Sequence, residues 1–317
     1  MNHDLKEMMR GEAEFFDQSA LKRTAHGQIP MEADIRRATR FTPSRLGEEL
    51  VDPKMTYILE GKYRDRFLDT AAHRRGGKVL EVCCGPGWLA LELGRRGQAV
   101  DAYDISPQAI ALARRMLEEN PYKEGFGSVT YHLQDVTQVD LGVNTLDAMV
   151  GWSAYHHLPN LPDFMERAYR ALKPGGVIAT LDDLPRGRLE KWLERILRLL
   201  LPTYDRTYRE KLRAAYLRIT GKTREMPDHF TPMEELAAKD HAVFEIADIL
   251  YEKYEVLFDV RWAAFVSTPV MQIKGPDWFR YSVARLLVVI DRVLCKIGLC
   301  KGFLRIIIAR KRARETT

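Results

Sequence analysis

Short apolar runs alternate with amphipathic helical segments from Lys78 onward, and this alternation constrains the fold more than any other feature of the 317-residue chain. Apolar runs of strand length lie at residues 79–82, 99–103, 129–133, 146–150 and 177–181. Helical patterns lie between them, at residues 88–96, 107–119 and 161–172. Strands that alternate with helices of this length indicate a parallel sheet covered by helices on both faces.

A basic, helical segment at residues 186–240 interrupts the alternation. Between Arg186 and Arg224 the chain has twelve Lys/Arg and four Asp/Glu, a net charge of +8, whereas the whole chain carries +5. Further on, the patterns predict helices at residues 241–253 and 278–297 and strands at residues 254–262 and 304–309. The predicted fold class is therefore α/β, with a doubly wound, mostly parallel sheet of seven strands.

This organisation predicts four parts of the chain. The first 75 residues are polar, with helix candidates at residues 5–16 and 54–72, and they form an N-terminal helical cap. The other parts are a ligand-binding core at 76–185, an inserted basic helical lid at 186–240 and the C-terminal part of the core at 241–317.

A glycine bend, Gly85-Pro86-Gly87, directly follows the first strand and opens the first helix of the core. Without a Cβ the backbone can bend sharply and a ligand can approach it closely, while the helix start offers unpaired N–H groups. Such a bend alone is equally compatible with a simple tight turn. Glu81, on the strand itself, would repel a pyrophosphate but attract a cationic group such as an α-ammonium.

Acidic residues also follow the next two strands. Asp104 ends the second strand, seventeen residues after Gly87, and Asp135 ends the third. The first can accept hydrogen bonds from both hydroxyls of a ribose, and the second from an adenine amino group. Each acid alone also fits a helix cap or a solvated loop. Acids at three consecutive strand ends favour a ligand crevice, because open α/β sheets bind ligands there.

These residues resemble the class I S-adenosylmethionine-dependent methyltransferases, of the methyltransferase type 11/25-like kind. Residues 79–87 resemble the family's first motif, with Cys83 in place of its first glycine, and residues 170–176 resemble its helix-to-strand signature. The resemblance implies S-adenosylmethionine as the cofactor and a Rossmann-like sheet. The implied cofactor-binding residues are Glu81, Cys83, Gly85, Gly87, Asp104, Ile105, Asp135, Val136 and Trp152.

The segment after the fourth strand supplies the candidates for catalysis. In the family this segment faces the methyl group, and a histidine near its end is frequent. His156 and Tyr155 are the stronger candidates for substrate contact and His157 the third, although each also fits a structural role. A base is needed only if the nucleophile arrives protonated.

The resemblance also narrows the range of possible methyl acceptors. Methyltransferases that act on exocyclic amines of nucleic-acid bases carry the motif Asn/Asp-Pro-Pro-aromatic in this segment. Methyltransferases that act on carbon 5 of pyrimidines need a cysteine there. This chain has neither feature, so we do not expect nucleic acid as a partner. The predicted reaction is methyl transfer to O or N of a small or medium-sized metabolite: a natural product, a sugar or a lipid-linked acceptor. The predicted enzyme encloses this small-molecule substrate, which is either lipid-linked or anionic and held by arginines of the basic insert. The oligomeric state of the enzyme is open.

Two alternatives remain. One is a membrane-surface methyltransferase that acts on a lipid or a lipid-linked glycan, with peripheral membrane contact through residues 186–224. The other is a non-catalytic module that binds the cofactor or RNA. No metal site is predicted, since Cys295 and Cys300 lack His or Cys partners at metal-ligand spacing. The lack of a signal-peptide core and of a membrane-spanning apolar run predicts a cytoplasmic protein.

Overall fold

The computed structural model describes residues 3–24, 44–46, 49–184, 186–204, 206–220, 245–266 and 268–312. Residues 221–240 of the predicted insert lie outside the described residues. The same holds for residues 241–244, the start of the helix predicted at 241–253.

Among the described residues, seven strands form one sheet, which confirms the predicted fold class. These strands are β3 (Lys78–Val82), β4 (Ala99–Asp104), β5 (Ser128–Leu133), β6 (Leu146–Trp152), β7 (Leu172–Asp183), β8 (Tyr254–Trp262) and β9 (Leu304–Lys311). Their order is β5-β4-β3-β6-β7-β9-β8, with β9 antiparallel to both of its neighbours and the other pairs parallel. A separate hairpin, β1 (Ser44–Leu46) with β2 (Glu49–Val51), was not predicted.

The strand order places a crevice at the centre of the sheet. From β3 the chain moves outward through β4 to β5, and it then returns to the other side of β3 to form β6. The connections on the two sides of β3 therefore run in opposite directions. Such a switch point opens a crevice at the carboxyl ends of the strands, where ligands bind in open α/β sheets.

The helices match the predicted ones to within a few residues in the core. They are α1 (His3–Thr24), α2 (Pro53–Thr56 and Lys62–Ala71, joined by a π-helical turn at Tyr57–Gly61), α3 (Trp88–Arg95), α4 (Pro107–Glu118), α5 (Leu161–Ala171), α6 (Arg188–Leu200), α7 (Tyr208–Ile219), α8 (Glu245–Lys253), α9 (Thr268–Met271) and α10 (Asp277–Lys296). One difference concerns the strand run predicted at residues 177–181, since β7 already begins at Leu172 and includes residues 173–176.

The start of α4 shows how the sequence positions the crevice. Ser106 caps this helix, since its hydroxyl accepts a hydrogen bond from the Ala109 N–H at 3.1 Å, and Pro107 occupies the first turn. Asp17 of α1 accepts from the Ser106 hydroxyl at 2.6 Å and from the Gln108 N–H at 3.0 Å. The N-terminal helix is therefore anchored directly beside the end of β4.

The first helix of the insert packs on the C-terminal part of the chain. In α6, Leu193 and Leu197 pack against an apolar cluster that also contains side chains of α10. Other large apolar residues of α6, including Trp192 and Leu200, are exposed. None of the described residues of the insert lines the cavity discussed below.

Asp291 of α10 holds the loop after β8 in place. Its carboxylate is fully buried and accepts from the backbone N–H groups of Ala263 at 2.9 Å and Phe265 at 3.1 Å. We expect Asp291→Ala to lower the free energy of unfolding by about 3 kcal/mol, because two buried N–H groups lose their acceptor. Urea denaturation measures this change. Ser282→Ala, at an exposed position of the same helix, is the control; a similar loss in both variants would contradict the role given to Asp291.

Candidate functional site

A cavity of about 240 Å³ lies at the carboxyl ends of β3, β4, β5 and β6. The loops after these strands supply most of its lining: Cys83, Cys84, Gly85, Pro86, Tyr103, Asp104, Ile105, Gln134, Asp135, Val136, Trp152 and Ser153. Helix α1 closes it from outside with Met9, Glu12, Phe16, Ser19 and Ala20. The cavity thus occupies the crevice that the strand order creates.

The loop after β3 bends exactly where the glycine motif predicted a bend, with Cys83 and Gly85 both at φ 50°. A Cβ on Gly85 would meet no atom within 4 Å, so the loop leaves open space for a ligand against its backbone. Cys83 adopts the left-handed conformation that favours glycine, at a cost of about 1–2 kcal/mol. Cys83 therefore keeps the backbone φ angle that the glycine of the family motif would adopt at this position.

Asp104 connects this loop to the end of β4. Its two carboxylate oxygens accept from the N–H groups of Gly85 and Ser106, each at 2.8 Å. Burial raises the pKa of Asp104, and these backbone hydrogen bonds act in the opposite direction. Each carboxylate oxygen can accept a second hydrogen bond. Asp104 therefore shapes the bend and still offers two acceptors to a ligand in the cavity.

Strand β5 is followed by a short 3₁₀ turn, Val136–Gln138. Asp135 caps this turn by accepting from the Thr137 N–H at 2.8 Å and the Thr137 hydroxyl at 2.7 Å through one oxygen. Asp135 and Val136 both line the cavity, as does Gln134. The residues after β5 thus present two polar side chains and one apolar side chain at the position predicted for an adenine contact.

Glu81 and Gly87 lie outside the lining of the cavity. Glu81 is buried, which raises its pKa well above the usual range, and one of its oxygens, Oε2, has no hydrogen-bond partner among the described residues. A Cβ on Gly87 would lie 2.5 Å from the hydroxyl oxygen of Tyr131, which donates to the Gly87 carbonyl at 2.9 Å. Gly87 therefore serves the packing of α3 against β5, and the cofactor contacts of both residues stay predictions.

Trp152 forms the wall of the cavity at the end of β6. Its ring packs edge-to-face on Trp88 at 5.1 Å between centroids and on Phe67 at 5.3 Å. These contacts fix the indole between the first helix of the core and α2. The structure thus places Trp152 in the wall of the cavity, and its contact with the cofactor stays a prediction.

The three catalytic candidates form one 3₁₀ turn, Tyr155–His157, and they point to three different places. Tyr155 is fully buried in an apolar cluster, and burial raises its pKa well above the usual range. The Nδ1 atom of His156 lies 3.0 Å from Asp182 Oδ1, and both side chains are buried. His157 alone lines the cavity, with its Nδ1 atom 2.7 Å from Glu12 Oε1 of α1.

This geometry does not support a substrate contact by Tyr155, whose side chain belongs to the core. His156 is not part of the lining, but its ring contacts that of His157, which is, at 4.1 Å between centroids. The pairing of β6 with β7 brings Asp182 close to His156, since Trp152 lies opposite Leu181.

A comparison with known protein families identifies the core. Residues 79–176 match the family model described as a methyltransferase domain.

The chain contains a class I methyltransferase domain.

This match confirms the predicted family, and with it S-adenosylmethionine as the cofactor of the domain.

Curated relatives agree with the family. A demethylmenaquinone methyltransferase of Desulfitobacterium hafniense is 27% identical over 139 residues, which cover 42% of this chain and 53% of the relative. A ubiquinone biosynthesis O-methyltransferase of Methylocella silvestris is 31% identical over 128 residues, covering 40% and 47%. A malonyl-[acyl-carrier protein] O-methyltransferase of Enterobacter lignolyticus is 29% identical over 134 residues, covering 41% and 50%. The chain spans about half the length of the curated relatives it matches.

The residues of the methyltransferase domain fit this cofactor. The open space beside Gly85 admits a ligand to the backbone, and Asp104 and Asp135 offer carboxylate oxygens at neighbouring strand ends. The wall is apolar at Trp88 and Trp152, as the flat ring of an adenine requires.

Sequence reasoning missed the part of the site that α1 contributes. Glu12 is buried beside His157, and the Phe16 ring packs edge-to-face on the same histidine at 5.3 Å. The adjacent aromatic residues Phe15 and Phe16, in a helix that is otherwise polar, were the available signal. Asp182 was missed because only the pairing of β6 with β7 brings it to His156.

Proposed function

We propose that this chain is an S-adenosylmethionine-dependent methyltransferase that methylates a small or medium-sized metabolite. The observation that carries the proposal is the cavity at four neighbouring strand ends, with the Gly85 bend and the Asp104 carboxylate on its wall. When bound, S-adenosylmethionine supplies a methyl group on a sulfonium, which is a good electrophile. The chain's own task is then to align the acceptor and to exclude water.

The acceptor would approach from the ends of β6 and β7. Trp152 and Ser153 line the cavity there, and the Ser153 hydroxyl donates to Asp183 at 3.5 Å. Asp182 and Asp183 end β7 next to them. This part of the site combines an aromatic wall with carboxylates, so it suits an acceptor that has an apolar ring and a hydroxyl or amine.

The acceptor class is the finer part of the proposal. Two of the relatives described above are named for demethylmenaquinone and for ubiquinone biosynthesis, and both names refer to quinones. The apolar lining of the cavity, including Met9, Phe16 and Leu158, agrees with a lipophilic ring compound. We therefore propose a ring hydroxyl of a quinol-like or phenolic compound as the methyl acceptor.

His156 and Asp182 would accept the proton of such a hydroxyl. An Nδ1–H that donates to Asp182 leaves the lone pair on Nε2, the form that a base needs. The negative charge of Asp182 then stabilises the imidazolium that forms. In this proposal Asp182 positions His156, and His157 with Glu12 closes the cavity toward α1.

Methyl transfer from tritiated S-adenosylmethionine to a panel of acceptors tests the function. The panel contains a demethylated quinol, a simple catechol, a sugar and a single-stranded RNA. We expect labelled product with the quinol or the catechol, at least about tenfold above the sugar, because only these acceptors fill an apolar site.

The other outcomes decide between the alternatives. Labelling of the sugar alone would contradict the proposed quinol-like or phenolic acceptor, and it would still support a methyltransferase activity. Cofactor binding without any labelled product, together with salt-sensitive retention of RNA, would contradict the enzyme and favour a binding module.

A further inference from the structure

Helix α10 carries a continuous apolar surface that is exposed among the described residues. Large apolar side chains are exposed along it and just after it: Trp278, Leu286, Val289, Ile290, Val293, Ile297 and Leu299. Exposure reaches 72% for Trp278 and 67% for Ile297. Scattered exposed apolar residues are normal, whereas a contiguous set marks an interaction surface.

The spacing of these residues places them on one face of the helix. Leu286, Val289, Val293 and Ile297 follow one another at intervals of three or four residues. The opposite face is buried through Tyr281, which packs in the same apolar cluster as Leu59 of α2. From Trp278 to Ile297 the exposed face extends over roughly 28 Å at 1.5 Å per residue.

The charges along this face have one sign. The exposed charged residues between Trp278 and Leu299 are Arg285 and Lys296, and Lys301 follows. The acid in this stretch, Asp291, is fully buried and holds backbone N–H groups, and Asp277 at the helix start pairs with Arg280 at 3.1 Å. Helix α6 repeats this arrangement, since its acids Glu190 and Glu194 are buried while Lys191 and Trp192 are exposed.

We propose that the exposed face of α10 docks on the surface of an anionic lipid bilayer. An amphipathic helix with apolar residues bordered by Lys and Arg lies in the plane of such a surface, with its apolar face inserted below the headgroups. Trp278 at one end suits the headgroup level. Among the described residues, no helix is long and apolar enough to cross a bilayer, so the contact is peripheral.

A second copy of the chain fits this face less well. A two-fold interface sets the same surface against itself. Arg285 and Lys296 would then meet like charges, with no exposed acid on the face to compensate them. A bilayer rich in acidic lipids supplies the opposite charge along the whole face, at about 1 kcal/mol for each basic residue.

Side-chain contacts link helix α10 to the wall of the cavity through α2. The Arg292 guanidinium lies 4.9 Å from the centre of the Tyr63 ring in α2, and Phe67 of the same helix packs on Trp152. A bilayer that binds α10 would therefore contact a helix that is connected through α2 to Trp152 in the wall of the proposed acceptor site. The connection between docking and the acceptor rests on the proposed function, whereas docking itself can be measured without turnover.

Co-sedimentation of the full chain with vesicles tests the proposal without an acceptor. We expect binding to phosphatidylcholine vesicles that contain phosphatidylglycerol, and at least about tenfold weaker binding to phosphatidylcholine alone. The double variant Val289→Gln/Val293→Gln should bind the anionic vesicles about tenfold more weakly, because two apolar side chains no longer enter the bilayer. Val143→Gln, at an exposed valine in the loop before β6, is the matched control and should bind like the wild type.

Unchanged circular dichroism and cofactor affinity of the double variant show that the fold is kept. The proposal would be overturned if the wild type bound both vesicle types equally. It would also be overturned if the double variant bound the anionic vesicles as strongly as the wild type does. A wild-type dimer in sedimentation analysis that the double variant loses would overturn it too, because α10 would then face a second copy. Turnover of a water-soluble catechol is measured separately, so a failure of docking and a failure of the proposed function give different results.

Discussion

Asp104→Ala is expected to lower the affinity for S-adenosylmethionine by at least about a hundredfold. The substitution removes two carboxylate acceptors, and hydrogen bonds to a charged group contribute about 1.5–3 kcal/mol each. It also removes the acceptor for the Gly85 N–H, which holds the bend open at 2.8 Å. A loss of about 3 kcal/mol or more corresponds to this change in affinity, which calorimetric titration measures.

Two further variants separate the ligand contact from the loop. Asp104→Asn keeps the size of the side chain and one acceptor oxygen, so its affinity should lie between those of Asp104→Ala and the wild type. Asp101→Ala, on the same strand but outside the cavity, removes an acid that contacts Lys78 and His132 and should change the affinity less than about twofold. Wild-type affinity in a folded Asp104→Ala variant would contradict the role of this residue.

The position of Asp104 could be predicted because it depends on short-range patterns. An apolar run of strand length, a capping serine and a proline mark the end of β4 within four residues. The carboxyl ends of parallel strands meet at one edge of the sheet, so Asp104 and Asp135 had to lie near Gly85 once the strands were recognised. The cofactor side of the site therefore follows from local sequence and a topological rule.

The segment Tyr155–His157 shows that short-range patterns do not predict the direction of each side chain. A 3₁₀ turn has three residues per turn, so its successive side chains point in directions about 120° apart. Tyr155 thus enters the core, His156 meets Asp182 and His157 faces the cavity. The sequence marks all three as candidates, and only the packed turn assigns each its direction.

Contacts that are distant in the sequence explain the other differences. Asp17 reaches Ser106 across 89 residues, and no spacing in the sequence records this contact. The large apolar residues of α6 are divided between two environments, because Leu193 and Leu197 pack inside while Trp192 stays exposed. The larger exposed apolar face belongs to α10, whose pattern predicted only a helix. Which helical face is buried depends on the neighbours that the fold supplies.

His156→Ala is expected to lower kcat for a hydroxyl acceptor by about a hundredfold to ten-thousandfold, the usual contribution of a general base. The affinity for S-adenosylmethionine should stay within about twofold, because His156 lies outside the lining of the cavity. Asp182→Asn should lower kcat less, since the imidazole remains and loses only its charged partner at 3.0 Å. Initial rates over a range of acceptor concentrations separate kcat from KM.

The pH dependence of kcat distinguishes this role from a structural one. A base must be deprotonated to act, so kcat of the wild type for a hydroxyl acceptor should rise with pH, and the residual activity of His156→Ala should lack this rise. His132→Ala removes a second His–Asp pair, also at 3.0 Å, whose histidine is not part of the cavity, and it should keep both kcat and the profile. A His156→Ala variant with full kcat would instead mean that the acceptor needs no base before methyl transfer, as is the case for a neutral amine that attacks through its lone pair.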